Sequence, residues 1–287
     1  MAAGVAFAPG DAAGVVWQLG AGVTRWKEGD EVVVTPSVPC GVCAACTGFG
    51  RGGCDRPTVW ASALAELAIA RDEQLLRKPR KLSWEAAGSY ATAYFGAYRA
   101  LVDRAKVRPG EAVLVWDGVR PLGAFALQLA RLLGASVGTL EHGARKGRSE
   151  RLAREVEALF AGRAPDVVLV GATEESLAFG LTASARKARL LIVSGEGPSA
   201  LDATIVRRDE KTILGVSLPP PEECQRANEL VHQEKIVVPA PTVHAFEDFA
   251  LALRADARGE HPSGAALLVA APRPGLTTWA EALAAMG

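Results

Sequence analysis

The chain predicts a mixed α/β fold: a doubly wound parallel sheet joined to a small antiparallel barrel or sandwich. Three observations carry this. Residues 112–140 read as strand, glycine turn, amphipathic helix and strand. Further apolar runs at Asp166–Val170, Arg189–Val193 and Thr212–Val216 alternate with helical stretches, as buried parallel strands do. The first eighty residues instead carry short β-branched runs parted by glycine turns.

In chain order, Gly14–Trp17 and Glu31–Val34 read as strands, with Lys27-Glu28-Gly29-Asp30 as the tight turn before the second. Trp60–Leu76 reads as a returning strand centred on Leu64–Ala70. Ser83 precedes Trp84-Glu85-Ala86-Ala87 and is placed to cap a helix. Ala91–Val102 is a small-residue helix, with Tyr90, Tyr94 and Tyr98 spaced along it as packing rings or a proton donor.

The central unit opens with Ala112-Val113-Leu114-Val115-Trp116 after a Pro109-Gly110 turn. The turn Asp117–Gly123 follows, then the helix Ala124–Leu133 and the strand Val137–Leu140, ending at Glu141. An acid about 20 residues beyond a glycine turn is the layout of a dinucleotide-binding unit. Gly118 and Gly123 let the backbone approach a pyrophosphate. The middle of the turn departs from that chemistry, because Pro121 has no N–H to offer and Arg120 brings a side chain. Arg120 can meet a phosphate through its guanidinium instead, or the unit is a βαβ element that has lost its ligand. Glu141 suits a ribose diol, and Arg145 with Lys146 suits a 2′-phosphate; a solvated helix face explains the same charges. Ser194 and Gly195 end a strand on the carboxyl side, where a ligand crevice lies.

Ser149–Phe160 and Ser176–Lys187 are helices, and so is Pro221–His232. The chain then runs through an apolar strand, a helix starting at Phe246-Glu247-Asp248, a last strand Ala265–Ala270 and a tail helical from Thr278.

Cys40, Cys43, Cys46 and Cys54 are spaced C-x2-C-x2-C-x7-C amid glycines. Four thiolates at that spacing suit a closed tetrahedral zinc site, a structural one. Two disulfides or an iron–sulfur cluster use the same residues; a cytoplasmic address argues against disulfides. Cys224, with no histidine near it in sequence, reads as a buried thiol.

With 32 basic and 32 acidic residues the net charge is zero. That leaves no basic excess for nucleic acid or an anionic membrane, and gives little protection against self-association. No apolar run reaches the roughly 18 residues of a membrane span, and no signal-peptide pattern opens the chain, so a cytoplasmic protein is expected.

In this order the elements resemble the medium-chain dehydrogenase/reductase superfamily, which joins a GroES-like barrel to a Rossmann domain. The phrases that carry it are Gly10-Asp-Ala-Ala-Gly-Val-Val-Trp, Gly22-Val-Thr-Arg-Trp-Lys-Glu-Gly-Asp-Glu-Val, Leu64-Ala-Glu, Lys81-Leu-Ser-Trp-Glu-Ala-Ala and Thr212-Ile-Leu-Gly. The crotonyl-CoA reductase/carboxylase and quinone-reductase branches look most alike. The resemblance implies a Rossmann-like domain over 89–239 and a partial GroES-like domain over 1–88 and 240–287, with a zinc lobe at 40–54. It implies the four cysteines as ligands of that lobe, and a homodimer through the strand at Thr212–Val216.

The resemblance also marks departures. The first part of the barrel, which supplies two catalytic zinc ligands in the alcohol dehydrogenases, is expected to be absent. The third ligand there is a cysteine aligned with Thr92, so no catalytic zinc is expected. Between Glu141 and Asp166 only one helix fits, where the family has helix, strand, helix. The residues needed for CO2 capture have no counterparts near Pro57-Thr58 and Ser217, which disfavours carboxylation.

Two functions follow. One is an NADPH- or NADH-dependent reductase of an activated alkene, an enoyl thioester or quinone, using Gly118, Arg120, Leu122, Gly123, Glu141, Arg145, Ser194 and Gly195 for the cofactor. The other is a family member without redox activity, kept for binding or for cofactor-free acyl recognition.

Overall fold

The structure is a computed structural model that describes residues 11–47, 54–59, 65, 67–116, 121–140, 149–171, 173–195, 199–258, 260 and 266–269. The chain forms two units. One comprises Met1–Thr92, Pro220–Asn228 and Val238–Gly287; the other comprises Ala93–Pro219 and Glu229–Val237.

The first unit opens with β1 (Ala12–Val15) and β2 (Glu31–Val34). A short ladder, β3 (Ser37–Val38) with β4 (Thr58–Val59), flanks the cysteine lobe. Then come β5 (Leu75–Arg77) and α1 (Trp84–Ala87); α2 (Ala91–Tyr98) starts at the end of this unit and continues into the second. β1, β2 and β5 form an antiparallel sheet in that order. Val32, Val33, Val34 and Leu76 are its buried core.

The returning strand sits later than the sequence suggests. Among the described residues of Leu64–Ala70 there is no strand, and Ile69 is 76% exposed. The strand is β5, entered through a 3-10 turn over Asp72–Gln74. Buried Gln74 fixes that turn: its Oε1 accepts from the Arg71 N–H at 3.0 Å, and its Nε2 donates to the Thr35 carbonyl at 3.4 Å. Ser83 caps α1 as expected, its Oγ accepting from the Ala86 N–H at 3.3 Å.

The second unit holds β6 (Ala112–Trp116), α3 (Leu122–Leu132), β7 (Ser136–Leu140), α4 (Ser149–Leu159), β8 (Val167–Gly171), α5 (Glu174–Ala183), β9 (Arg189–Ser194), α6 (Ala203–Arg208) and β10 (Thr212–Gly215). Its sheet is parallel, in the order β10-β9-β8-β6-β7. β6 is buried along its whole length, because helices cover both faces of such a sheet. Leu114, Leu169, Leu190 and Leu191 are fully buried at its centre. Each such side chain contributes about 1.5–3 kcal/mol of burial. α5 lies close on the sheet because Gly180 has no side chain: a Cβ there would stand 3.1 Å from both Leu190 and Val170.

α7 (Pro221–His232) runs from the first unit into the second. β11 (Thr242–Ala245), α8 (Phe249–Ala257) and β12 (Ala266–Val269) follow, with β11 and β12 paired in parallel. The tail expected to be helical from Thr278 lies outside the described residues.

Candidate functional site

In the second unit, β6, β8 and β9 run parallel, so their carboxyl ends lie on one edge of the sheet. β6 ends at Trp116, whose ring lies 4.0 Å from that of Phe179 on α5, centroid to centroid. α3 starts just after the turn, with Pro121 as its N-cap and no side-chain cap. A helix's first N–H groups have no partner within the helix. Here Leu122 and Gly123 supply such groups, while Pro121 has none. Gly123 is buried, and Leu122 packs against α2: a Cβ on Gly96 would lie 3.1 Å from Leu122 Cδ1.

The ends of β8 and β9 meet at Gly171 and Ser194. A bulge between Val170 and Gly171 shifts the ladder there. A Cβ on Gly171 would lie 3.3 Å from Ser194 Oγ, so glycine permits the approach. Ser194 is exposed, and Gly195 follows with φ +121°. The turn after β8 is held by α5. The Ser176 hydroxyl donates to the Gly171 carbonyl at 2.6 Å, and Thr173 Oγ1 accepts from the Ser176 N–H at 3.2 Å. Gly171, Thr173 and Ser176 were missed in the sequence; glycine closing an apolar run before Thr-x-x-Ser was the signal available.

Of the expected cofactor residues, Leu122, Gly123, Ser194 and Gly195 thus lie at this edge. Gly118, Arg120, Glu141 and Arg145 lie outside the described residues, as does Lys146.

The first unit answers two other expectations. Thr92 is held by Asp11, whose Oδ1 accepts from the Thr92 N–H at 2.7 Å and its hydroxyl at 2.6 Å. Burial pushes the Asp11 carboxyl up, against those two hydrogen bonds. Tyr90 is a core residue: its hydroxyl donates to Asn228 Oδ1 at 2.5 Å, and Asn228 Nδ2 donates to the Arg77 carbonyl at 2.9 Å. In the second unit, Tyr94 is fully buried with its ring 5.4 Å from Phe125, and burial pushes its hydroxyl well above the ordinary range. Cys224 is fully buried.

The four lobe cysteines converge. Their sulfurs all lie within 4.8 Å of one another. Cys40 and Cys46 are 3.9 Å apart, Cys43 and Cys46 3.5 Å, and Cys43 and Cys54 4.0 Å. None of the five cysteines is in a disulfide. Sulfurs bound to a tetrahedral zinc at about 2.3 Å stand about 3.8 Å apart, so this donor set fits the ion. At two of the four positions the lobe also favours the thiolate. Backbone N–H groups of Val42 and Cys43 pull Cys40 down to about 6, and the N–H groups of Asp55 and Cys46 lower Cys43. The Gly41 N–H pulls on Cys46 too, but burial and the three neighbouring thiols prevail and push it up to about 12. A dication removes that repulsion. Arg71 ties the lobe down, its Nη1 donating to the Pro39 carbonyl at 3.1 Å.

Among the described residues no helix is long and apolar enough to cross a membrane.

Residues 5–80 match the alcohol dehydrogenase GroES-like domain. The chain is 34% identical over 133 residues to a crotonyl-CoA carboxylase/reductase of Cereibacter sphaeroides, covering 44% of this chain and 31% of that protein. It is 26% identical over 227 residues to the human quinone oxidoreductase, covering 74% of this chain and 62% of that one. The chain therefore spans between about a third and two thirds of these relatives. The solved 2-octenoyl-CoA carboxylase reductase CinF, in complex with NADP and 2-octenoyl-CoA, superposes with TM-score 0.80 at 25% identity, over 96% of this chain and 71% of that one. An NAD-dependent alcohol dehydrogenase superposes with TM-score 0.76 at 26% identity, over 90% of this chain and 81% of its own. The five-stranded parallel sheet of one unit, the antiparallel sheet of the other and these relatives are consistent with the medium-chain dehydrogenase/reductase superfamily.

Proposed function

We propose that this chain is an NAD(P)H-dependent reductase of an activated alkene, an enoyl thioester or a quinone, working without catalytic zinc. One observation carries the reading. The strand order of the parallel sheet reverses between β6 and β8, and α3, Gly171 and Ser194 stand on the carboxyl edge where ligands bind in such sheets. The relatives supply the substrate class: one is named for crotonyl-CoA, one for quinones, and CinF holds 2-octenoyl-CoA.

The cofactor, when bound, supplies hydride. The chain's own residues bind and orient. Leu122 and Gly123 offer backbone N–H groups to a pyrophosphate, and the Arg120 guanidinium takes the place of the N–H that Pro121 lacks. Glu141 takes a ribose diol, and Arg145 a 2′-phosphate. Ser194 and Gly195 line the nicotinamide end together with Gly171. Thr92, bound to Asp11, offers a hydroxyl where the zinc-dependent relatives have a cysteine ligand, a poor donor for zinc. The Cys40, Cys43, Cys46 and Cys54 lobe holds a structural zinc. A homodimer forms through the outer edge of β10, which pairs only with β9 among the described residues. A cytoplasmic setting keeps the lobe thiols reduced.

Pro121 at the head of α3 favours a second reading, a family member that has given up the cofactor and kept a binding role. Calorimetric titration with NADPH and then NADH separates the two. Binding at micromolar concentration supports the reductase. No heat with either nucleotide at millimolar concentration removes it and leaves the second reading.

A further inference from the structure

Resting on the reductase reading, we infer that the Ser194 side chain, presented by a bulge at the end of β9, hydrogen-bonds the diol of the nicotinamide ribose.

β8 and β9 pair one to one from Val167 with Arg189 to Val170 with Ile192. At the next step the register shifts, and Gly171 pairs with Ser194. Val193 is therefore the extra residue of a β-bulge on β9. Bulges at the rim of a sheet re-aim a side chain. In an unbroken ladder Val193 would stand opposite Gly171 and offer an isopropyl group. The bulge puts a hydroxyl there instead.

Gly171 makes the exchange possible. A Cβ on it would lie 3.3 Å from Ser194 Oγ and 3.8 Å from the Ser194 carbonyl oxygen. With glycine, no side chain comes between the hydroxyl and the end of β8. That end is fixed, because buried Ser176 donates its hydroxyl to the Gly171 carbonyl at 2.6 Å. Ser194 itself is exposed, and no described residue bonds its hydroxyl. β9 stops there, and Gly195 follows at φ +121°, a conformation that glycine takes readily.

The position of this hydroxyl selects the part of the nucleotide it meets. The pyrophosphate goes to the N–H groups at the head of α3, the helix that follows β6. β8 is the neighbour of β6, and β9 is the next strand out. Neighbouring strands stand about 4.8 Å apart, which puts the seam of β8 and β9 roughly 7 Å from β6. On that side the sugar is the group joined to the pyrophosphate, and the ring lies beyond it. The chemistry agrees with the place. A serine hydroxyl offers one donor and two acceptor lone pairs, and each hydroxyl of a ribose diol offers the same. The face of the nicotinamide ring offers neither.

The test is calorimetry on the full chain, as wild type and as Ser194→Ala. Each is titrated with NADPH or NADH, whichever the wild type binds more tightly, and with the same nucleotide lacking both hydroxyls of the nicotinamide-side sugar. Ser194 is exposed, so the variant should melt with the wild type. The expected result is that the substitution weakens the natural nucleotide about three- to tenfold, the effect of one neutral hydrogen bond. Affinity for the deoxygenated nucleotide should stay within about twofold. Equal binding of the natural nucleotide to both proteins, or the same loss with both nucleotides, overturns this inference and leaves the reductase reading standing. Failure of the wild type to bind NADPH or NADH overturns both.

Discussion

Arg189 and Glu111 form an ion pair at 2.6 Å at the foot of the parallel sheet. The same guanidinium donates through Nη1 to the carbonyls of Ala105 and Lys106. It therefore closes the π-helix that continues α2 over Arg99–Arg104, and joins it to the entry of β6 and the start of β9. Replacing Arg189 by Met leaves those carbonyls and a half-buried carboxylate without their cation. A loss of about 1–2 kcal/mol in urea unfolding is expected.

The pair also sets a pH dependence. Burial pushes Glu111 up, but hydrogen bonds from Arg189 and the Arg108 N–H, with both guanidinium charges, outweigh it and hold the carboxyl below its ordinary 4.5. Its folded value thus lies below its unfolded one. The stability it contributes is present above about 4.5 and is lost as pH falls through the folded value. Unfolding free energy followed from pH 6 to about pH 3 should fall less steeply in Glu111→Gln than in the wild type.

Gly138→Ala should disturb the packing of α4 on β7. The added methyl meets Phe160 and Leu159, both on the last turn of α4 or just past it. A loss of about 1–3 kcal/mol is expected, with hydrogen exchange rising in β7 and α4 before β8 and β9. Equal exchange in all four elements would contradict this picture of the edge.

Tyr90→Phe removes the donor to Asn228 Oδ1 and leaves that oxygen buried and short of a partner. The expected penalty is about 1–3 kcal/mol, read from denaturant unfolding. NADPH binding should be unchanged, since both residues belong to the first unit.

Zinc content tests the lobe. The purified protein should carry one zinc per chain by mass spectrometry of the metal. Cys43→Ser should lose most of it, and a strong chelator should lower the melting temperature of the wild type. A full complement of metal in Cys43→Ser would refute four-cysteine ligation.

The parts of this architecture written in local spacing were readable from residues alone. C-x2-C-x2-C-x7-C brings four sulfurs together because the lobe is closed within 15 residues. The run Val113–Trp116 with its following helix needed only the periods of strand and helix. The helix α4, between Glu141 and Asp166, followed from its period. The misplaced return strand had a different origin: none of the described residues of Leu64–Ala70 is buried, whereas Gln74, a polar residue, is. Gln74 earns its place through Thr35, thirty-nine residues away. Asp11 with Thr92, Tyr90 with Asn228 and Arg189 with Ala105 are likewise separated by 81, 138 and 84 residues. The π-helix ahead of Lys106 has no residue pattern of its own, and depends on that last contact.

The first unit is discontinuous in the chain, and this orders events during synthesis. Residues 93–219 emerge as an almost complete parallel sheet and can fold as soon as they are made. The segment before them cannot finish. Tyr90 waits for Asn228, and β11 for β12 at Ala266–Val269. A ribosome stalled near residue 240 should therefore present a protease-resistant centre behind an amino-terminal segment that is still cut.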